Sequence, residues 1–343
     1  MGEDIAFERS GLAAIVTLKR PQALNALTHA MLLALEKKLT AWEDDDGVAH
    51  VVIRAEGRAF SAGGDLMALY NARHDGLTQL PFFADEYRIN AYIKRYPKPY
   101  IALINGIDMG GGVGVSVHGS HRVATENAVF AMPEVGIGFF PDVGGSHFLS
   151  RLPDRFGFYL GLTGARIRAG DMCASGIATH HVPAERLDTL TEALAASGDT
   201  TAVLDRFHES AAPQVLGAHR AAIAGLFAPG SLSDIVARLE ADAGSDEFAA
   251  ATLKALRAKS PTSLAVALRQ IGEGAALSMD ACMAMEYRIV SRMLTGHDFF
   301  EGIRAAIVDK GDTPHWRPAS IADLDAAEID RYFAPVESGE LVL

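Results

Sequence analysis

The feature of the sequence that most constrains its fold is a dense cluster of glycines. In INGIDMGGGVGVSVHGS (residues 104–120), glycine occupies four of the five positions from 110 to 114. Each glycine inside a helix or strand costs roughly 0.5–1 kcal/mol relative to alanine, so the cluster must serve a purpose that side chains would prevent. The segment follows the apolar strand YIALI (100–104) and opens a predicted helix. Such a strand-to-helix turn presents backbone N–H groups to whatever approaches it.

A second glycine loop has the same form. AFSAGGD (59–65) follows the predicted strand HVVIRA (50–55) and contains Gly63 and Gly64. N–H groups exposed in this way can hold a phosphate, or they can stabilise a carbonyl oxygen that becomes negative during a reaction. The phosphate-binding spacings GxxxxGK[ST] and GxGxxG and the nucleophile elbow GxSxG do not fit these loops. On these residues alone, tight turns with close helix packing explain the loops equally well.

Strands and helices alternate through about residue 190, which predicts an α/β fold. Two more apolar runs, LAAIVTL (12–18) and HRVAT (121–125), are predicted strands, and residues 82–96 are a predicted helix. Thr28 is a good N-cap for a helix whose apolar residues recur at helical spacing, namely Met31, Leu32, Leu35, Leu39 and Trp42. After residue 190 the chain becomes a series of alanine-, leucine- and charge-rich helical segments. We therefore predict an α/β core over residues 1–190 and an α-helical C-terminal region over residues 191–343.

Composition and charge limit the classes of partner. The formal net charge of −12 argues against nucleic acid and anionic membranes. Cys173 and Cys282 make neither a disulfide framework nor a metal-ligand spacing, so a reducing compartment is expected. No signal peptide, transit peptide or transmembrane stretch is recognised in this sequence. We expect a cytoplasmic protein with no metal site and with no nucleic-acid or membrane partner.

Two carboxylates stand in an otherwise apolar and glycine-rich segment, FAMPEVGIGFFPDVGGS (130–146). These are Glu134 and Asp142. Carboxylates in apolar surroundings tend to have raised pKa values, which suits general acid–base catalysis. The structural alternative is that Glu134 caps a helix and that Asp142, after Pro141, sets a turn. The residues alone leave both interpretations open.

Five segments, in one order, resemble the crotonase (enoyl-CoA hydratase/isomerase) superfamily. They are LKRPQALNAL, RAFSAGGDL, NGIDMGGGVGVSVHG, FAMPEVGIGFFPDVGG and LTGARIRAGDMCASGIATHHV. The resemblance implies an α/β fold with a crotonase-like ββα spiral core, followed here by the helical C-terminal region. Within the superfamily, the segments GGGVGVSVHG, MPE and FPDVGG together resemble the 3-hydroxyisobutyryl-CoA hydrolase branch.

The resemblance supplies roles for the glycine loops. Members of the superfamily hold the carbonyl oxygen of an acyl-CoA thioester between two backbone N–H groups, which correspond here to those of Gly64 and Gly111. It also implies that Ala62, in the first loop, contacts the substrate. Glu86, in FADEYRIN, matches a glutamate that would hold the β-hydroxyl of the substrate, the alternative being a solvated helix face. No separate cofactor is implied, because CoA is part of the substrate.

One departure from the hydratases decides the reaction class. Hydratases of the superfamily carry a glutamate two residues after the triple glycine, where this chain has Gly114. Glu134 matches the second hydratase glutamate, and Asp142 lies where the hydrolase branch has an aspartate. The resemblance therefore implies hydrolysis of a β-hydroxyacyl-CoA thioester, with Glu134 as general base or nucleophile and Asp142 positioning water or protonating the leaving thiolate.

Two other functions stay open at this point. One is an enoyl-CoA hydratase or isomerase acting on another acyl chain, and the other is an acyl-CoA-binding protein that has lost its chemistry.

Lys19 and Arg20 either border the CoA phosphates or lie on a solvated surface. Crotonase cores often build trimers and hexamers, but the extended helical region could replace or block those contacts, so a homo-oligomer is possible and the oligomeric state stays open.

Overall fold

The computed structural model describes residues 4–73, 79–337 and 339–343. Within them, strands and helices alternate in the first half of the chain, and helices follow. The strands are β1 (Ile5–Ser10), β2 (Ala13–Leu18), β3 (His50–Ala55), β4 (Ala59–Ser61), β5 (Tyr100–Ile104), β6 (Ile107–Met109), β7 (His121–Ala124), β8 (Val129–Ala131), β9 (Ile167–Arg168) and β10 (His180–His181). The predicted α/β class is confirmed.

Helices separate these strands and make up most of the C-terminal region, as predicted. They are α1 (His29–Glu43), α2 (Leu66–Ala72), α3 (Leu80–Arg95), α4 (Gly111–Ser116), α5 (Gly145–Leu149), α6 (Phe156–Thr163), α7 (Ala169–Ser175), α8 (Leu187–Ala196), α9 (Thr200–Phe207), α10 (Val215–Leu226), α11 (Leu232–Asp242), α12 (Glu247–Arg257), α13 (Pro261–Gly274), α14 (Met279–Met293), α15 (His297–Ile303) and α16 (Ala326–Phe333). Short 3₁₀ turns occur at Pro21–Ala23, Glu134–Ile137, Pro153–Arg155, Ala184–Arg186 and Ile321–Asp323, and a π turn occurs at Arg304–Val308. No helix of the described chain is long and apolar enough to cross a membrane.

Local sequence signals predict the longer elements well. The four predicted strands are β2, β3, β5 and β7, and the predicted helix over residues 82–96 is α3. In α1, the predicted cap is confirmed, since the Thr28 hydroxyl oxygen accepts the Met31 N–H at 3.3 Å. The residues of α1 that are buried are those that the helical spacing predicts, namely Met31, Leu32, Leu35, Leu39 and Trp42.

The chain divides into two compact units. The first comprises Met1–Asp65, Asp85–Ala131 and Arg166–Ala218. The second comprises Leu66–Ala84, Met132–Ala165 and His219–Leu343. These units follow other boundaries than the predicted division into residues 1–190 and 191–343, which stays a prediction.

The first unit contains two sheets. The larger has the strand order β1-β2-β3-β5-β7-β10, and it is parallel except for the antiparallel pair of β1 and β2. The smaller has the order β4-β6-β8-β9, in which β9 alone is antiparallel to its neighbour. Parallel sheets are covered on both faces, which explains why every residue of YIALI in β5 is buried.

A hydrophobic core joins the larger sheet to α8 and α9. Its members come from β2, β3, β5 and β7 and from the apolar faces of the two helices. They include Ile15, Val52, Ile101, Leu190 and Leu204, each at most 2% exposed. This core fixes β3 and β5, the strands that precede β4 and β6, after which the two glycine loops begin.

The second unit is helical. Its helix α13 packs against α5 and α6, and α14 packs against α5 and α16. Ser260 caps α13 by accepting the Ser263 N–H at 3.1 Å, and Pro261 stands at the first helical position, where no N–H is needed. These helices surround the segment that carries Glu134 and Asp142.

Candidate functional site

The first glycine loop is held by the turn that follows β2. The Leu27 N–H donates to the Gly63 carbonyl at 2.8 Å, and the Asp65 N–H donates to the Leu27 carbonyl at 3.2 Å. The Ala62 N–H donates to the Leu24 carbonyl at 3.0 Å. These hydrogen bonds fix the backbone of the loop. The Gly64 N–H makes no hydrogen bond within the described chain.

Two basic residues beside this loop are already engaged. Arg20 lies 3.2 Å from the Asp65 carboxylate, and its guanidinium also donates to the Ala26 carbonyl at 2.6 Å. Lys19 lies 3.4 Å from the Glu56 carboxylate. Arg20 therefore helps to hold the glycine loop in place, and a role for either residue toward CoA phosphates stays a prediction.

The second glycine loop connects β6 to α4. Gly110 has a φ of +52°, a conformation that favours glycine, and its carbonyl accepts the Val113 N–H at 2.8 Å. The helix then begins at Gly111, whose N–H has no partner in the helix because it belongs to the first turn. No other described residue accepts this N–H. The loop thus leaves one donor free at the start of α4.

The two free donors lie together, beside Glu86. A Cβ added to Gly111 would lie 3.3 Å from the Gly64 nitrogen and 2.6 Å from Glu86 Oε1. A Cβ added to Gly63 would lie 3.6 Å from the Gly111 nitrogen. Side chains at these positions would fill the space between the loops, so the glycines keep it open.

Glu86 is buried in α3 and is not on a solvated helix face. It is 2% exposed, and its Oε1 atom has no hydrogen-bond partner among the described residues. Burial raises the pKa of Glu86 from 4.5 to about 8. A carboxyl in this state is protonated at neutral pH, and it can donate or accept a hydrogen bond when a ligand enters.

Asn90 is a candidate that the sequence interpretation missed. It follows Glu86 by one helical turn in α3 and is completely buried. Neither the nitrogen nor the oxygen of its side-chain amide has a partner among the described residues. The available signal was the spacing of four residues from Glu86, which places both polar side chains on one face of the helix.

Asp108 is a second buried carboxyl near the glycine loops. It lies in β6, completely buried, and the Ser116 hydroxyl at the end of α4 donates to its Oδ2 at 2.7 Å. Burial raises the pKa of Asp108 to about 7, although the hydrogen bond from Ser116 opposes this shift. Asp108 therefore ties the strand before the glycine loop to the helix after it.

In the second unit, Glu134 begins a 3₁₀ turn that is closely packed. The turn ends at Gly138, whose φ is +69° and where a Cβ would lie only 2.1 Å from the Asp298 carbonyl oxygen. A Cβ on Gly302, in α15, would lie 2.2 Å from the carbonyl of Ile137 in this turn. The helix α15 therefore packs directly onto the backbone of the turn.

Apolar surroundings account for the electrostatics of Glu134. The ring of Phe139, just after the turn, lies 4.7 Å from that of Phe140 and 4.6 Å from that of Phe299, measured between ring centres. Glu134 is 5% exposed, and its Oε2 has no partner among the described residues. Burial raises the pKa of Glu134 from 4.5 to about 8.

Asp142 is also buried, at 4% exposed, and it begins a tight turn. Its carbonyl accepts the Gly145 N–H at 2.8 Å, and the two central residues, Val143 and Gly144, have φ values of +50° and +86°. Two positive φ values mark a type I′ turn. The turn-forming role that the sequence suggested is therefore present, and it is compatible with a chemical role for the buried side chain.

Other residues with reactive or ligating side chains, and the position of the missing hydratase glutamate, lie in structural settings. Gly114, at the position of the first hydratase glutamate, is buried inside α4. Burial raises the pKa of the Cys173 thiol, which disfavours a nucleophilic role. His180 lies 3.3 Å from the Asp205 carboxylate. Within the described ranges, no cluster of three histidine, cysteine or acidic residues could hold a metal ion.

Comparison with protein families and curated proteins gives one consistent result. The model of the family described as enoyl-CoA hydratase/isomerase matches residues 13–333. The chain is 42% identical to the mitochondrial 3-hydroxyisobutyryl-CoA hydrolase of Danio rerio, covering 100% of this chain and 92% of that protein. It is 40% identical to the Homo sapiens protein of the same name, covering 99% and 90%.

Two solved structures are similar over the whole chain and carry other names. A carnitinyl-CoA dehydratase from Mycobacterium thermoresistibile has a TM-score of 0.94 and 40% identity, covering 99% of both chains. An enoyl-CoA hydratase from Rhodobacter sphaeroides has a TM-score of 0.93 and 39% identity, covering 99% of this chain and 100% of that one. The crotonase-like fold that the sequence predicted is confirmed.

The relatives also correct one expectation. The hydrolases from Danio rerio and Homo sapiens are both named as mitochondrial, so the predicted cytoplasmic location is wrong. The sequence argument relied on the two cysteines, which bear on redox state but do not name a compartment, and on the lack of a recognised targeting segment in the given sequence. The family itself is established by the matched residues, the identities and the fold. The chain belongs to the enoyl-CoA hydratase/isomerase family.

Proposed function

We propose that the chain hydrolyses a β-hydroxyacyl-CoA thioester, with 3-hydroxyisobutyryl-CoA as the first substrate to test. The products are 3-hydroxyisobutyrate and free CoA. The relatives that carry the hydrolase name match this chain over at least 98% of its length, as expected for a shared reaction. Acyl-CoA substrates also fit the family as a whole.

The observation that carries the proposal is the pair of free N–H groups beside a buried carboxyl. Gly64 and Gly111 present donors that the described chain leaves unused, and Glu86 Oε1 lies 2.6 Å from where a Cβ on Gly111 would be. Two backbone donors of this kind stabilise the negative oxygen that forms when a thioester carbonyl is attacked. Loss of one such donor typically costs on the order of 10²–10³ in rate. Glu86 then holds the β-hydroxyl, and Ala62 contacts the acyl-CoA through its carbonyl, since its N–H is engaged.

Glu134 supplies the base or the nucleophile. As a base, it takes a proton from water while the water oxygen attacks the thioester carbon, after which the C–S bond breaks and the thiolate leaves. As a nucleophile, it attacks that carbon itself, and water then hydrolyses the mixed anhydride. Asp142 positions the water or protonates the departing thiolate. Rapid acid quenching separates the two routes, since only the nucleophilic route gives a protein heavier by the acyl group.

The names of the two similar structures favour a second function, hydration or dehydration of an acyl-CoA. Hydratases of the superfamily use two glutamates to hold one water molecule. Here the first of those positions is Gly114, which cannot contribute a carboxylate. Asp142 would then have to serve as the second acid. An acyl-CoA-binding protein without activity is the third possibility, and the presence of both Glu134 and Asp142 together with both glycine loops argues against it.

One experiment separates the three functions. The purified protein is mixed with 3-hydroxyisobutyryl-CoA and a thiol reagent, and in parallel with crotonyl-CoA, whose conjugated absorbance is followed. We expect release of thiol and no hydration. Hydration without thiol release would establish the second function, and binding without either reaction would establish the third.

The assembly state of the enzyme is part of the same proposal. We expect a homo-oligomer, as crotonase cores form, and light scattering at working concentration measures it. A monomeric mass would contradict that expectation without affecting the proposed reaction.

A further inference from the structure

Two buried side chains from distant helices bind the loop that contains Asp142. We call residues 141–146 the Asp142 loop. At its start, Gln270 of α13 donates from Nε2 to the Pro141 carbonyl at 2.6 Å. At its end, Glu286 of α14 accepts the Gly144 N–H at 2.8 Å through Oε2 and the Ser146 N–H at 3.0 Å through Oε1. The Ser146 hydroxyl also donates to Oε1.

The backbone between these anchors is strained. Val143 has a φ of +50°, in the left-handed region that β-branched residues rarely adopt. Such a conformation persists only when the surrounding structure enforces it. The Glu286 carboxylate binds the residue immediately after Val143, so it acts where the strained turn would otherwise relax. Asp142 precedes the strained residue and would move with it.

We propose that Glu286, assisted by Gln270, is a positioning residue that fixes the Asp142 loop for thioester hydrolysis. This inference rests on the proposed function, since it assigns a purpose to Asp142 in that reaction. Glu286 does not itself contact the substrate.

A carboxylate suits this task better than an amide does. All three groups that Glu286 binds are donors, namely two backbone N–H groups and one hydroxyl. Glutamine offers a single acceptor oxygen, so its NH₂ group would have to face one of these donors in either orientation. Burial raises the pKa of Glu286 to about 7, while the three hydrogen bonds favour the ionised form and oppose that shift.

The first test is the variant Glu286→Gln, assayed by thiol release from 3-hydroxyisobutyryl-CoA. Displacement of a catalytic group by about 1 Å can cost on the order of 10²-fold in rate. We expect kcat to fall by about tenfold to a hundredfold, with KM changed by less than about threefold. Gln270→Leu, which frees the other end of the loop, should act in the same direction and provides a second route if Glu286→Gln does not fold.

Asp171 offers a matched control. It is a buried carboxylate that also accepts two backbone N–H groups, from Val215 at 3.1 Å and Leu216 at 2.9 Å, but it lies in α7, outside the Asp142 loop. Asp171→Asn should lower stability comparably and leave kcat within about twofold of the wild type. An equal loss of kcat in this control would overturn the proposal, because the effect would then be one of general stability.

A double-mutant cycle with Asp142→Asn separates positioning from structure. If Glu286 acts through Asp142, Glu286→Gln should cost nothing further in the Asp142→Asn background, whereas independent effects multiply. Full additivity, or a wild-type kcat in Glu286→Gln, would overturn this role while leaving the proposed function intact. Absence of thiol release from the wild-type protein would overturn the proposed function and this role together.

Discussion

Glu134→Gln should stabilise the protein, and the gain should grow with pH. The folded protein holds the pKa of Glu134 at about 8, against an ordinary value of 4.5. Between these pKa values the folded state binds more protons than the unfolded state, so stability is lost as pH rises from 4.5 through 8. At 1.36 kcal/mol per pKa unit, the wild type loses about 1 kcal/mol at pH 5, about 3 kcal/mol at pH 7 and about 5 kcal/mol at pH 9. Glutamine avoids this loss because it does not ionise.

Urea unfolding of wild type and variant at pH 5, 7 and 9 measures the difference directly. The control is Glu301→Gln in the same helical unit. Hydrogen bonds from Arg304 lower the pKa of Glu301 to about 2, so Glu301 is ionised in both folded and unfolded states throughout this range. Its contribution to stability is present above pH 4.5 and is lost only as pH falls through about 2. The free-energy difference for Glu301→Gln should therefore be nearly constant from pH 5 to pH 9.

A constant difference for Glu134→Gln would refute the reasoning. It would mean that Glu134 ionises near 4.5 in the folded protein, and that burial does not govern its chemistry. The same samples are assayed for thiol release and for binding of the CoA ester. We expect hydrolysis to be lost with little loss of binding, and full activity would contradict the role assigned to Glu134.

Three further predictions concern the site. The value of kcat/KM should rise with pH through about 8, because Glu134 must lose its proton to act as base or nucleophile; thiol release from pH 6 to 9 measures it, and a flat profile would contradict it. Gly111→Ala places a Cβ 2.6 Å from Glu86 Oε1, an atom at the flexible end of its side chain. The variant should fold, yet lose about tenfold or more in kcat/KM because the carboxyl is displaced and the Gly64 N–H is crowded. Asn90→Leu should raise the free energy of unfolding by about 1–2 kcal/mol, since the buried amide has no partner among the described residues; destabilisation in urea would show that the amide is hydrogen-bonded in solution.

The elements that the sequence predicts are those long enough to show a recognisable pattern of apolar residues. LAAIVTL is a continuous apolar run, and the helix capped by Thr28 has apolar residues at helical spacing. The structure has them as β2 and α1. The strands β4, β6, β8 and β9 contain two or three residues each, too few to show a period. They form the smaller sheet only because neighbouring segments complete their hydrogen bonds.

Some residues of the candidate site can likewise be predicted from the sequence, and others cannot. The glycine loops and the two carboxylates of FAMPEVGIGFFPDVGGS are visible because each motif is contiguous in sequence. Glu286 was not found, since it is separated from Gly144 by 142 positions and sits in a helix of ordinary composition. The residues around Glu286 in the sequence do not indicate that its side chain is buried and binds the Asp142 loop. Positioning residues of this kind become visible only when the fold brings distant segments together.

Buried carboxyls in one protein can serve opposite purposes, and their hydrogen bonds distinguish them. Glu134 and Glu286 both lie in the helical unit, and burial raises both pKa values, to about 8 and about 7. Both oxygens of Glu286 are engaged by donors of the Asp142 loop, so its charge is used in holding structure. Glu134 keeps Oε2 without a partner among the described residues, so its burial costs free energy that no contact there recovers. A group retained at such a cost is in keeping with the reaction proposed above, so we expect Glu134 among the reacting groups and Glu286 among those that support them.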